Sequence, residues 1–388
     1  MQWYPGFYQL THDFSALPFH YSELRQSIKV TTSLAGSCCR LKLTNRYGRQ
    51  NLIFDKVILA DNSEFKNSHQ IYCHHQEQIV IPRGQFLFTD PVLMPIHAGQ
   101  SLYIQMEATR PQTYADFAST YHPGITNATI SRGISAAPSF NNHWHSRKGW
   151  FSLESLEVQT DRPVFQIEIT GDSLVESGMV TEPLIQYFNR QFPNRLVWYQ
   201  TGIAGNQLML DAPVEEPLYE TFGISLLHRH QLQETNSKLT LAIIGTNDLL
   251  LPYYSRLIAE QNVTPQQLAL GFQRLRYQCR LNKSKLLTTT IAPLRMFDTA
   301  NLQPSEEIID RQRQLLNHFL LQQPGVVDGG TLLTDHDTGQ LRSQYDFGDH
   351  LHWSPAGGRQ IASLFIPLTQ DKIDKKTRSP TRVTDFFN

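Results

Sequence analysis

A serine at position 173 closes the run Ile167-Glu168-Ile169-Thr170-Gly171-Asp172-Ser173-Leu174. The run reads as a strand entering a tight turn, a device that presents a hydroxyl beyond the strand's carboxyl end. Gly171-Asp172-Ser173-Leu174 does not match Gly-x-Ser-x-Gly, and alone it reads as a surface turn. Three later stretches change that reading. Thr201-Gly202-Ile203-Ala204-Gly205-Asn206 follows a second predicted strand, and Gly245-Thr246-Asn247-Asp248 follows a third. Asp346-Phe347-Gly348-Asp349-His350-Leu351-His352 precedes the last predicted helix. Together they hold what acyl transfer requires. A serine hydroxyl is a poor nucleophile until a base lies within hydrogen-bond reach. His352 can take the proton, and Asp349, three residues earlier, can reach its Nδ1 and hold the tautomer. A developing oxyanion needs donors aimed at it. The Gly205 N–H, the Asn247 amide and the Ser173 N–H are suited to that task.

Several neighbours have other readings. Gly202 offers a second N–H beside Gly205. Asn247 and Asp248 are each able to cap the helix after the third strand. Asp172 is expected to bond the turn that carries Ser173, and His350 to face solvent beside the base. Cys73-His74-His75 and His143-Trp144-His145 match no structural zinc spacing, so neither a metal nor another cofactor is expected. Tyr121-His122 and His143-Trp144-His145 fall in stretches read as long loops, and are candidates for pocket walls. Arg295-Met296-Phe297-Asp298 follows the fourth strand and is a candidate lining for the acyl or leaving-group pocket. Asp335-His336-Asp337 reads as a polar loop.

These residues need a scaffold that gathers strand ends at one edge. From Pro163 the chain supplies one. Val164–Ile169, Leu196–Tyr199, Leu239–Ile244, Leu286–Ile291 and Val326-Val327 read as strands. Between them, Leu184/Tyr187/Phe188, Leu268/Phe272/Leu275/Cys279 and Ile309/Leu316/Leu320 repeat at helical spacing, and Ile361/Leu364/Phe365 marks a last helix. Ser354 is its expected N-cap, with Pro355 at the first position. Alternating strands and helices predict a parallel α/β/α sheet, with ligands beyond the carboxyl ends. Residues 1–160 differ. Ser27–Thr32, Cys39–Thr44, Leu52–Phe54, Val57–Leu59, Gln78–Ile81 and Ser101–Met106 are short strand-like runs with Gly and Pro between them, which predicts a β-sandwich. Thr109–Trp150, rich in Pro, Ser, Asn and His, reads as loops. The expected organisation is a sandwich over 1–160, a catalytic α/β unit over 161–370 and a polar, solvated tail over 371–388.

Composition sets outer limits. The chain has 388 residues, 40% hydrophobic and 18% charged, enough to bury a sizeable core. Lys plus Arg (34) nearly balances Asp plus Glu (35), so no nucleic-acid partner is expected. No apolar run approaches membrane-spanning length, and Met-Gln-Trp-Tyr-Pro-Gly lacks the features of a secretory leader. The four cysteines form no framework. These features predict a soluble, reduced, cytoplasmic protein. Nothing in them bears on oligomeric state.

Gly171-Asp172-Ser173-Leu174, Gly205, Gly245-Thr246-Asn247-Asp248 and Asp349-His350-Leu351-His352 resemble the four sequence blocks of the SGNH, or GDSL, hydrolases. They stand in that family's order over about residues 163–367. Leu24-Arg25-Gln26, Arg40–Gly48 and Thr89-Asp90-Pro91-Val92 resemble, more loosely, the front domain of bacterial family members that carry an N-terminal sandwich. The resemblance implies a flavodoxin-like sheet, a jelly-roll-like front domain and carboxylic ester hydrolysis. It implies Ser173 as nucleophile, His352 as base, Asp349 as its partner, and an oxyanion hole of Ser173, Gly205 and Asn247. Small or carbohydrate acyl esters are the implied substrates, with lipid esters, thioesters or mere acyl-carbohydrate binding as alternatives. The chain departs from the pattern at Val175-Glu176-Ser177-Gly178, where a Thr-Asp-Gly run is more usual. Trp353 stands where Pro is common, and Tyr199-Gln200 where an Asn is frequent.

Overall fold

The structure, a computed structural model, describes residues 1–121, 127–131, 148–232, 236–253, 256–294 and 303–377. Its first part packs two five-stranded antiparallel sheets face to face. One runs Gln2–Tyr8, Leu153–Thr160, Gly36–Asn45 and Gln85–Phe88, with Val92–Ile96 also paired to Gly36–Asn45. The other runs Asn127–Ser131, Leu24–Thr31, Ser101–Ala108, Lys56–Ala60 and His69–Gln70. Period-two alternation explains the second sheet. Leu24, Gln26, Ile28 and Val30 point inward while Arg25, Ser27, Lys29 and Thr31 do not. Ile104 lies opposite Ile28 and Leu102 opposite Val30, all fully or almost fully buried. Emptying such a site, as in Ile104→Ala, costs about 2–5 kcal/mol.

The stretch Thr109–Trp150 departs from its loop reading. Gln112–Tyr114, Asp116–Thr120, Asn127–Ser131 and Lys148–Phe151 are strands. Asp116–Thr120 is buried along its whole length, so no alternation marks it. Its polar groups are satisfied internally: Asp116 accepts from the Thr44 hydroxyl and from the Arg46 and Tyr47 N–H groups. Buried polar residues with partners look, in sequence, like loop residues.

The second part is a doubly wound parallel sheet. Its strands are β1 (Phe165–Gly171), β2 (Leu196–Gly202), β3 (Leu239–Ile243), β4 (Lys285–Thr289) and β5 (Val326–Val327). They lie in the order β2-β1-β3-β4-β5, the flavodoxin-like order. Helices cover both faces. Between β1 and β2 lie α1 (Ser173–Glu176) and α2 (Thr181–Gln191). Further on come α3 (Pro265–Leu281), α4 (Gln303–Leu321) and α5 (Pro355–Thr377). Leu184, Ile185 and Phe188 of α2 join Ile361 and Phe365 of α5 against Ile167, Ile169 and Leu241. Leu268, Phe272 and Leu275 of α3 join Leu316 and Leu320 of α4 against Ala242 and Ile244 on the other face. Thr264 and Gln267 form a capping box at the start of α3. The Gly357 N–H donates to Ser354 Oγ at the start of α5.

Residue 371, the expected start of a polar tail, lies within α5. α5 continues to Thr377. Thr369 and Ile373 are buried and extend the i, i+4 stripe of Ile361 and Phe365. Asp371, Lys372 and Asp374 between them hide that stripe in the sequence. The two parts of the molecule meet along β2, where Gln9 bridges Gln200 and the Leu10 N–H donates to the Gln200 carbonyl.

Candidate active site

β1 ends at Gly171, whose φ is 152°. A Cβ there would sit 1.8 Å from the Ile243 carbonyl oxygen of β3, so only glycine lets the chain turn this close to its neighbour. Asp172 is the N-cap of α1, and its Oδ1 accepts the Leu174 N–H at 2.9 Å. This is the turn-bonding role expected of it. Burial pushes the Asp172 carboxyl up to about 7, against the lowering effect of that N–H. Ser173 follows as the first residue of α1.

His352 Nε2 lies 2.8 Å from Ser173 Oγ, and His352 Nδ1 lies 2.6 Å from Asp349 Oδ2. A carboxylate can only accept, so Nδ1 carries a proton and Nε2 is left to accept the serine hydroxyl. Asp349 Oδ1 accepts the Leu351 and His352 N–H groups at 3.1 and 2.7 Å. Burial would raise the Asp349 carboxyl, but the bonds from His352 and from the two backbone donors outweigh it. The group is held below its ordinary range.

The turn after β2 brings Gly205 to the same place, with φ 77° and the Phe222 ring 2.2 Å from where a Cβ would lie. Asn247 and Asp248 do not cap the helix Thr246–Leu250, whose N-cap is Gly245. Asn247 Nδ2 donates to the Asn206 carbonyl at 3.0 Å, spending one of its two hydrogens. Asp248 accepts the Leu208 and Met209 N–H groups at 2.8 and 3.0 Å, and burial lifts it to about 6. Beneath lies Arg229, which is buried. It donates to the Gly171 and Thr201 carbonyls at 3.0 and 2.7 Å and to Asn206 Oδ1 at 3.1 Å. It thus ties the ends of β1 and β2 to the turn carrying Gly205.

Ser173, His352, Gly205 and Asn247 all face one cavity of about 340 Å³. Its remaining wall is mostly apolar. Leu218, Tyr219 and Phe222 come from the segment after β2, Leu250 and Leu251 from the helical segment after β3, and Leu351 from beside His352. His12, Phe14 and Tyr121 come from the sandwich. A pocket with few polar groups converging on one hydroxyl is suited to holding an ester with an apolar portion.

No family model matches this chain, and no curated protein matches it. Solved structures similar to it include an alpha/beta hydrolase enzyme from the metagenome of Lake Arreo, Spain, at 17% identity and TM-score 0.40, covering 54% of this chain and 97% of that one. Another is a GDSL-like lipase from Bacteroides thetaiotaomicron, at 16% identity and TM-score 0.38, covering 53% and 88%. A third is a variant of an acetyl xylan esterase from Geobacillus stearothermophilus, at 13% identity and TM-score 0.39, covering 53% and 94%.

Other candidates lie elsewhere. The side chain of His350 is 59% exposed, bonds Asp346 and faces a different cavity. The Gly202 carbonyl, at the end of β2, accepts a hydrogen bond from His12. His336 is an exposed loop residue. The His74 and His75 N–H groups bind the Asp90 carboxylate. Among the described residues no group of three or more His, Cys, Asp or Glu could hold a metal ion. His122, His143-Trp144-His145 and Arg295-Met296-Phe297-Asp298 lie outside the described residues. Sequence reasoning missed His12, Phe14 and Arg229, and gave no role to Asn206 or Glu176. Arg229 left one signal, since Arg229 and His230 fall three and four positions after Leu226, on a helical stripe that should be apolar.

Proposed function

We propose that this protein is a serine carboxylic ester hydrolase of the SGNH, or GDSL, family. The observation that carries the reading is His352 set between Ser173 Oγ and Asp349 Oδ2, at 2.8 and 2.6 Å. Ser173 Oγ attacks the ester carbonyl as its proton passes to His352 Nε2. The tetrahedral oxyanion is held by the N–H groups of Ser173 and Gly205 and by the Asn247 amide. His352 then protonates the departing alcohol. A water, giving its proton to the same nitrogen, attacks the acyl-enzyme carbonyl and releases the acid. No cofactor enters this scheme.

A small acyl ester, such as an acylated sugar, is the substrate we put first. The apolar wall of Phe14, Tyr121, Leu218, Tyr219 and Phe222 supports a second reading, in which the acyl group is longer or aromatic. Binding without turnover is disfavoured by the complete set of reacting groups. Four free, buried cysteines suit a cytoplasmic setting. No described helix is long and apolar enough to cross a membrane.

The test is turnover of p-nitrophenyl acetate by the wild type and Ser173→Ala. Loss of the serine should lower kcat by roughly 10⁴–10⁶-fold. Equal, slow rates in both would remove Ser173 from the nucleophile's role. A series from acetyl to decanoyl esters separates the substrate readings, because a preference for long chains sinks the sugar-ester one.

A further inference from the structure

Glu176 is a buried carboxylate that the proposed chemistry leaves unused. It sits on α1, three residues after Ser173, and is 2% exposed. Taking a carboxylate out of water is unfavourable unless donors surround it. Its donors come from two parts of the molecule. Oε2 accepts the Ala204 N–H at 2.7 Å, on the turn that delivers Gly205. Oε1 accepts the hydroxyl of Ser119, a fully buried residue of the sandwich strand Asp116–Thr120. His12, 2% exposed, comes from the strand His12–Asp13, which pairs with that same strand. Its Nε2 donates to the Gly202 carbonyl at 2.9 Å, and its Nδ1 lies 3.8 Å from Glu176 Oε2. The sandwich therefore reaches the Gly202–Gly205 turn at Gly202 directly and at Ala204 through Glu176.

We propose that His12 and Ser119 are positioning residues which, with Glu176, hold the turn that presents the Gly205 N–H. The sandwich is on this view a working part of the oxyanion hole. The inference rests on the esterase reading. Its physical basis is the steep dependence of catalysis on donor placement. A donor aimed at the ester carbonyl rather than at the oxyanion binds substrate but does not lower the barrier. An error of about 1 Å in such a site is worth about 100-fold in rate. Glu176 is next but one to Leu174, in the stretch Val175-Glu176-Ser177-Gly178 that departs from the familiar pattern. The brace gives that departure a use.

The experiment uses the full chain and p-nitrophenyl butyrate. Glu176→Ala, Ser119→Ala and His12→Ala are compared with the wild type for kcat, KM, thermal midpoint and inhibition by an alkyl trifluoromethyl ketone. The ketone adds Ser173 Oγ to its carbonyl carbon and leaves a tetrahedral oxyanion in the hole. Glu176→Ala should lower kcat by about 10–100-fold, less than outright loss of a donor. KM should stay within about threefold, and the ketone's Ki should rise in step with the fall in kcat/KM. Glu176→Gln, whose Oε1 can still accept the Ala204 N–H, should recover most of the loss. A joint that merely glues two parts together predicts a lower thermal midpoint with unchanged kcat and Ki, and that result overturns the proposal. Should Glu176→Ala fail to fold, Ser119→Ala decides, since it removes only one hydroxyl. A lower kcat with a raised Ki supports the brace, and wild-type values overturn it. Ser173→Ala runs alongside. If it retains activity the esterase reading itself has failed. If it is inactive while the brace variants match the wild type, only this inference has.

Discussion

Two Asp–His pairs stand within seven residues of each other, and their local geometry is almost the same. His352 Nδ1 lies 2.6 Å from Asp349 Oδ2, and His350 Nδ1 lies 2.7 Å from Asp346 Oδ2. Each aspartate also accepts two backbone N–H groups, from Leu351 and His352 in one case and from Gly348 and His350 in the other. The difference lies in what the second nitrogen meets. His352 is 14% exposed and its Nε2 reaches Ser173, 179 positions away. His350 is 59% exposed and faces a cavity of about 220 Å³ shared with Glu306, Glu307 and Asp310. A short turn makes an Asp–His pair easily. Chemistry requires the long-range contact that the parallel sheet supplies.

The largest expected effect tests that contrast directly. Asp349→Asn should lower kcat by about 10⁴-fold, because an amide donor beside Nδ1 favours the tautomer whose Nε2 carries the proton and cannot accept the serine hydroxyl. Asp346→Asn, the matching change in the other pair, should leave kcat within about threefold. Steady-state rates on a p-nitrophenyl ester measure both. Equal losses would mean that the two pairs act together, and the comparison would fail.

Asp172 sharpens the contrast from another side, as a carboxylate close to Ser173 with no histidine of its own. Among the described residues its Oδ2 finds no hydrogen-bond partner, and burial lifts it to about 7. Its ordinary value, in the unfolded chain, is about 3.9. Between those values the folded protein holds a proton that the unfolded chain has released, so this group's contribution to stability falls as pH rises from about 4 to about 7. Asp172→Asn mimics the protonated carboxyl and should remove that dependence. The variant's stability relative to wild type should therefore improve between pH 5 and pH 8, by a few kcal/mol at most. Urea midpoints at the two pH values give the answer. A difference that does not change with pH would show that Asp172 is ionised throughout.

Much of this was legible in the sequence. β1 to β5 announced themselves as short runs rich in apolar and β-branched residues, and α2 to α5 by a 3.6-residue stripe, whereas the helix Leu226–Leu232 between β2 and β3, with Arg229 and His230 buried on it, gave no such signal. Ser173, Gly205, Asn247, Asp349 and His352 stood out as four ordered blocks. His12 and Ser119 did not. Both are polar residues in short strands, and their partners at Gly202 and Glu176 are 190 and 57 positions away. No local period marks such residues. Phe14 was obscure for the same reason, since a pocket wall contributed by a second layer depends on how the layers meet, whereas Tyr121, expected as a candidate pocket wall, does line the cavity.

The smaller effects concern the exposed pair. Asp346→Ala removes the acceptor of the Gly348 and His350 N–H groups, so the turn before His352 loses two bonds. A loss of about 1–2 kcal/mol in unfolding free energy is expected, read from denaturant midpoints. Any fall in kcat should be modest and should follow from a loosened loop. His350→Ala is the finer probe, because it keeps Asp346 on both N–H groups and deletes only the ring. With φ at 61°, alanine at 350 is strained as histidine already is, so the backbone term nearly cancels. An exposed Asp–His contact contributes about 0–1 kcal/mol. Both kcat and KM on p-nitrophenyl acetate should therefore stay within about twofold. A bulky natural ester is the case that separates the pairs fully. If His350→Ala raised KM for large alcohols alone, the cavity beside His350 would be part of the leaving-group path. If KM stayed flat across small and large alcohols, the two pairs would be alike in bonding and different in every consequence for the reaction.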